Sequence, residues 1–76
     1  MELKQFEQLL ERQGARIMRN DGRLIFINAE ATPDLFDYWD EEFFVLGVHP
    51  EMQAIADDNG WYFEWENAGT IVAVPD

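Results

Sequence analysis

The chain has no cysteine and no serine, and only one lysine and one histidine. Without cysteine, neither disulfides nor a thiolate metal site can hold the fold together. Without cysteine or serine, the nucleophiles left are Thr32, Thr70, the tyrosines and the carboxylates. The histidine, His49, precedes a proline and reads as a capping or packing residue, because general-base work needs an oriented partner that the sequence does not show. Apolar runs reach about five residues at most, which excludes a membrane-spanning helix. The opening "MELKQFEQLLERQG" is charged and amphipathic, without a signal-peptide core. There is no Gly-rich phosphate loop, and "DDNG" (57–60) lacks the spacing of a calcium loop. The expectation is a soluble, cytoplasmic protein that is not an enzyme and uses no cofactor or metal.

Basic residues are also missing from most of the chain. All five (Lys4, Arg12, Arg16, Arg19, Arg23) lie in residues 1–25, with four acids, Glu2, Glu7, Glu11 and Asp21. Residues 26–76 hold the other twelve acids and no Lys or Arg, a net charge of -12 within an overall -11. That excludes direct nucleic-acid binding, since the acidic part would repel phosphates. Halophilic acidity would cover the whole surface, and the balanced first third speaks against it. Charge asymmetry of this kind points to an interaction.

What is present describes one domain over residues 1–76, because the chain is 76 residues long. At 47% hydrophobic and 14% aromatic it is too apolar for intrinsic disorder. Leu3, Phe6, Leu9 and Leu10 form one apolar stripe, which predicts a helix over 2–13 closed by Gly14. "ARIMR" and "RLIFIN" flank the turn "NDG" and predict a hairpin, whose second strand is apolar on both faces and therefore central. Thr32 and Pro33 read as a helix start, with a helix over about 33–42. "FFVLGV" (43–48) reads as a buried strand, and His49-Pro50 as another helix start that ends at Asn59-Gly60. "WYFEWE" and "TIVAV", joined by "NAG", predict a second hairpin with Trp61, Phe63 and Trp65 inward. The fold class is α+β, a single small domain in the order α-β-β-α-β-α-β-β, with a mainly antiparallel sheet and helices packed on one face. The turn residues around Gly14–Ile27 and Gly60–Val74 carry a faint αββ repeat.

The segment "PDLFDYWDEEFF" (33–44) holds the candidate site. At helical spacing Leu35, Phe36, Trp39 and Phe43 face inward, and Asp34, Asp37 and Glu41 form an outward row bordered by Asp40 and Glu42. Tyr38 and Phe44 lie toward the polar side, where rings can meet arginine. Glu64 and Glu66 add a solvated acidic strand face. The expected partner-binding residues are Asp34, Asp37, Tyr38, Asp40, Glu41, Glu42, Glu64 and Glu66. A groove built for phosphates would attract such a surface. In size, acidity and lack of catalytic residues the chain resembles the small inhibitors that phages and mobile elements use against host nucleases and CRISPR complexes, several of which mimic DNA. No family motif carries that resemblance. It implies an inhibitor that binds a basic, nucleic-acid-binding protein, in the host cytoplasm if phage-encoded, with no membrane partner. The alternatives are an immunity protein for a basic toxin, or a small homodimeric assembly subunit joined through Trp61, Phe63, Trp65 and Leu24–Ile27.

Overall fold

The computed structural model describes residues 1–76. Leu3–Arg12 form helix α1, and Phe6 and Leu10, one turn apart, bury its apolar stripe. The Gln5 side chain accepts the Glu2 N–H at 3.2 Å, covering one of the donors that a helix start leaves free. Arg12 sits in the last turn, where the helix dipole favours a cation. Gly14, at φ +99°, turns the chain out of the helix. Its N–H donates to the Glu11 carbonyl and that of Ala15 to the Leu10 carbonyl, each at 3.0 Å. This paired reversal needs the left-handed conformation that glycine adopts without strain.

Strands β1 (Ile17–Asn20) and β2 (Ile25–Asn28) follow as an antiparallel hairpin. In its turn the Asp21 carboxylate accepts the N–H of Leu24 at 2.7 Å and of Arg23 at 3.0 Å. These two bonds, that to Leu24 foremost, hold the Asp21 carboxyl below the usual carboxylate range. A 3-10 turn (Ala29–Ala31) and a long loop lead to helix α2 (Pro50–Asp58). His49 caps α2, its Nδ1 accepting the Glu51 N–H at 3.0 Å, as its place before Pro50 predicts. Strands β3 (Trp61–Asn67) and β4 (Thr70–Pro75) form the second hairpin. No helix is long and apolar enough to cross a membrane.

The four strands make one antiparallel sheet in the order β1-β2-β4-β3. Phe6 and Leu10 of α1 and Met52 and Ala56 of α2 share a core with Ile25, Ile27, Ile71, Ala73 and Trp61. Both helices therefore cover the same face. On the other face Phe26, Val72 and Val74 form a smaller cluster, with the Arg19 guanidinium 3.8 Å above the Phe26 ring. The α+β class, the antiparallel sheet, the one-sided helices and the central place of β2 are as the sequence predicts.

The faint repeat is a structural one. The chain runs αββ, loop, αββ. The register shift that carries Gly14 onto Gly60 also carries Phe6 onto Met52, Leu10 onto Ala56, Ala15 onto Trp61 and Ile25 onto Ile71, and every one of these apolar residues is buried. It carries Phe26 onto Val72 as well, and Phe26 pairs directly with Val72 across β2 and β4. The two units are thus related by a pseudo-dyad that passes between Phe26 and Val72, normal to the sheet. A dyad in that direction exchanges antiparallel strands and keeps each side chain on its own face.

Two expected elements are not formed. Residues 33–42 make turns in place of a helix, and 43–48 make isolated bridges in place of a strand. A single turn begins, with the Leu35 and Phe36 N–H groups both on the Thr32 carbonyl at 3.0 Å. Asp37 then gives its N–H to Gly47, across the loop, at 2.8 Å. The Asp37 and Asp40 side chains bind nearby backbone N–H groups, which competes directly with helix formation. Asp37 and Glu41 would also stand as a like-charge pair four residues apart, with no basic side chain to offset them.

The most sensitive core position is Phe6, which is fully buried and stacked on Trp61 with ring centroids 4.8 Å apart at 11°. Phe6→Ala leaves a ring-sized void and is expected to lower the unfolding free energy by about 3–5 kcal/mol. Urea denaturation followed by tryptophan fluorescence measures this directly.

Candidate functional site: the loop between the two units

The loop from Thr32 to His49 joins the two αββ units and packs against the β3 edge of the sheet. Two apolar side chains anchor it: Phe36 and Val48 are buried and face each other in an antiparallel bridge. The Phe36 ring meets Phe63 edge-on at 5.2 Å. The His49 N–H donates to the Leu35 carbonyl at 2.9 Å and closes the loop at its base.

Its tip is a two-residue hairpin. Val45 and Val48 exchange both backbone hydrogen bonds, at 2.9 and 3.0 Å, around Leu46 and Gly47. Both central residues have positive φ, 52° for Leu46 and 76° for Gly47, as a type I′ turn requires. Leucine in that conformation costs about 1–2 kcal/mol. The tip is secured by the Trp65 indole N–H, which donates to the Leu46 carbonyl at 2.7 Å. Gly47 has no room for a side chain: a Cβ there would lie 2.8 Å from the Asp37 carbonyl oxygen and 2.9 Å from the Trp65 ring.

Between anchor and tip, Asp40 organises the chain. Its Oδ1 accepts the N–H groups of Glu42 and Phe43 at 2.9 Å and of Phe44 at 3.4 Å. These bonds, that to Phe43 foremost, hold its carboxyl below the usual value of 3.8. Asp37 Oδ1 accepts the Trp39 N–H in the same way at 3.0 Å.

The loop therefore presents apolar surface outward. Trp39 is 77% exposed, Phe43 73%, Leu46 81% and Val45 55%. The expectation that Trp39 and Phe43 face inward is corrected: without the helix, of the expected inward set Phe36 is buried and Leu35 half-buried. The evenly spaced row of Asp34, Asp37 and Glu41 is likewise not formed. Asp34 is exposed at the start of the loop, Glu41 and Glu42 are exposed side by side farther along it, and Asp37 is partly covered.

Of the expected partner-binding residues, the structure brings Tyr38, Asp40 and Glu41 together. They line one cleft of about 520 Å³ with Phe44, Leu46 and Trp65. Glu64 lines the cleft on the other side of Trp65, with Leu46, Val48 and Phe63. Glu66 is exposed on β3 and lines neither. Sequence reading places Trp39 and Phe43 in the core and Val45 and Leu46 in a buried strand, and names Trp65 only for the homodimer alternative. The signal for the tip lay in Val-Leu-Gly-Val, a two-residue turn between β-formers, which leucine at the first turn position conceals. No group of three or more histidine, cysteine or acidic side chains comes together in a way that could hold a metal ion.

Gly47→Ala is expected to release the tip, because it adds both a strained φ and a clash with backbone. Expected is a loss of about 2–4 kcal/mol, read as a lower urea midpoint, with the Trp65 indole N–H resonance shifted toward its solvent-exposed position. Asp40 predicts an acid dependence. A folded-state pKa below the unfolded one contributes stability above the unfolded value of about 4 and loses it as pH falls through the folded value. Asp40→Asn should therefore be less stable than wild type at about pH 6, and the gap should narrow at about pH 3; urea midpoints of both proteins at the two pH values check it. No family model, curated protein or solved structure matches the chain, so the functional reading rests on the loop's own geometry.

Proposed function

We propose that the protein is a non-enzymatic inhibitor that docks the 32–49 loop on a basic surface of a partner protein and blocks nucleic acid from that surface. The observation that carries this reading is the exposure of Trp39, Phe43 and Leu46 on one hydrogen-bonded loop that also carries Asp34, Asp40, Glu41 and Glu42. Burying one such side chain contributes about 1.5–3 kcal/mol, which the free protein forgoes. Tryptophan is among the residue types that dominate interface energies, and aromatic residues are enriched at interfaces. The surrounding carboxylates favour a partner rich in lysine and arginine and speed the encounter. A surface that evolved for phosphates has that character, and the -12 charge of residues 26–76 complements it.

The rings that a homodimer would have covered are used inside one chain: Trp61 is buried, and Phe63 and Trp65 pack against the core. His49, the one histidine, is committed to the α2 cap.

The test is affinity capture from a lysate of the source organism at low salt, followed by identification of the bound protein and competition with DNA and RNA. Wild type is expected to retain a basic protein that nucleic acid and salt both displace. Trp39→Ala combined with Phe43→Ala should weaken the complex about 10–100-fold, on the order of 1.4–2.8 kcal/mol. Asp34→Lys with Glu42→Lys, both exposed and outside the clefts, should mainly slow association. Equal binding by the Trp39/Phe43 double variant, or a complex indifferent to nucleic acid, would overturn the proposal.

A further inference from the structure

The cleft lined by Tyr38, Asp40, Glu41 and Trp65 has a more specific chemistry than its charge. Two of its walls are the rings of Tyr38 and Trp65, which stand at 90° to each other with centroids 5.3 Å apart. Trp65 is held by its bond to the Leu46 carbonyl and by Gly47 against its edge, and Tyr38 is backed by the Trp39 ring at 4.9 Å. Phe44 lines the same cleft and rests edge-on against His49 at 5.5 Å. The remaining polar lining is the pair of carboxylates, Asp40 and Glu41. Asp40 is kept ionised by the N–H groups gathered on its Oδ1.

Resting on the docking reading, we propose that this cleft receives the guanidinium of an arginine side chain of the partner protein. A ring face that such an edge-on pair leaves open attracts a cation through its quadrupole, and a neighbouring carboxylate offers a hydrogen-bond acceptor. Arginine fits better than lysine for two reasons. Its planar group stacks on one ring while its N–H edge points at the other wall, and it is more weakly hydrated than an ammonium. The cleft volume of about 520 Å³ accommodates the side chain together with part of the loop that carries it. Trp65 is set by its intramolecular contacts, so its ordering adds little cost on binding. The exposed Trp39 and Phe43 then supply affinity and the cleft selects the register on the partner.

The experiment needs no partner protein. The isolated chain, labelled with ¹⁵N, is titrated with N-acetyl-arginine methylamide, its lysine counterpart and its citrulline counterpart, which keeps the shape of arginine and lacks its charge. The arginine compound is expected to shift the Trp65 indole N–H and the Leu46 and Gly47 amides saturably at millimolar concentration. Lysine should bind at least about threefold more weakly, and citrulline should leave these resonances unmoved. Tyr38→Ala and Glu41→Gln, both at exposed side chains, should each reduce the arginine response while keeping a folded spectrum. Citrulline matching arginine, lysine matching or exceeding it, or an unchanged response in the Glu41→Gln protein would each overturn the assignment. Such a failure leaves the Trp39/Phe43 capture result standing, whereas indifference of capture to those two residues would sink the docking reading without touching the titration.

Discussion

The pairing of β2 with β4 is the contact on which the molecule depends. Each αββ unit alone has one helix and two strands, too little to bury both faces of its apolar residues. Setting β2 against β4 in antiparallel register, with Phe26 opposite Val72, joins the two hairpins into one sheet and the two helices into one layer. Ile25, Ile27, Ile71 and Ala73 then form a continuous floor under Phe6, Leu10, Met52 and Ala56. The pseudo-dyad also leaves β1 and β3 at the two edges. The basic residues Arg16, Arg19 and Arg23 flank the β1 edge, and the β3 edge carries Glu64 and Glu66 with the acidic loop beside it. The charge asymmetry of the sequence thereby becomes a spatial one.

Symmetry stops at the loop. Residues 29–49 belong to neither unit, and they carry most of the exposed large apolar side chains, Tyr38, Trp39, Phe43, Val45 and Leu46. A loop under pressure only to connect would be shorter and more polar. This one holds leucine at a positive φ, ties its tip to Trp65 and gathers three N–H groups on Asp40. Strain and exposed rings kept in place by specific bonds are the usual companions of a binding surface. In the proposed docking the two αββ units act as the support, and β3 contributes Trp65 beside the loop tip.

The sequence was legible wherever one local rule acted alone. Apolar spacing located α1 and α2, Gly14 and Asn59-Gly60 ended them, and Asn-Asp-Gly and Asn-Ala-Gly marked both hairpin turns. Two-sided apolarity in Leu24–Ile27 gave β2 its central place. Between Pro33 and Val48 two rules disagreed. The 3,4 spacing of Leu35, Phe36, Trp39 and Phe43 favours a helix, whereas Asp37 and Asp40 offer the backbone competing acceptors. The periodicity there is real, and it does not describe burial: Trp39 and Phe43 match a buried stripe in spacing and point to solvent in the fold. Tyr38, Asp40 and Glu41 were found from the sequence as charged and aromatic neighbours, for a helical reason that the fold does not use.

The sequence by itself determined the class, the two αββ units and the concentration of acid after Arg23, because these follow from composition and from contacts within a few residues. Only the tertiary structure decided the shape of the 32–49 loop. Its conformation hangs on Trp65, a residue far along the chain that accepts Gly47 at its edge and binds the Leu46 carbonyl. A bond of that sequence separation leaves no periodic trace, and it turns a stretch that reads as core into the exposed face of the protein.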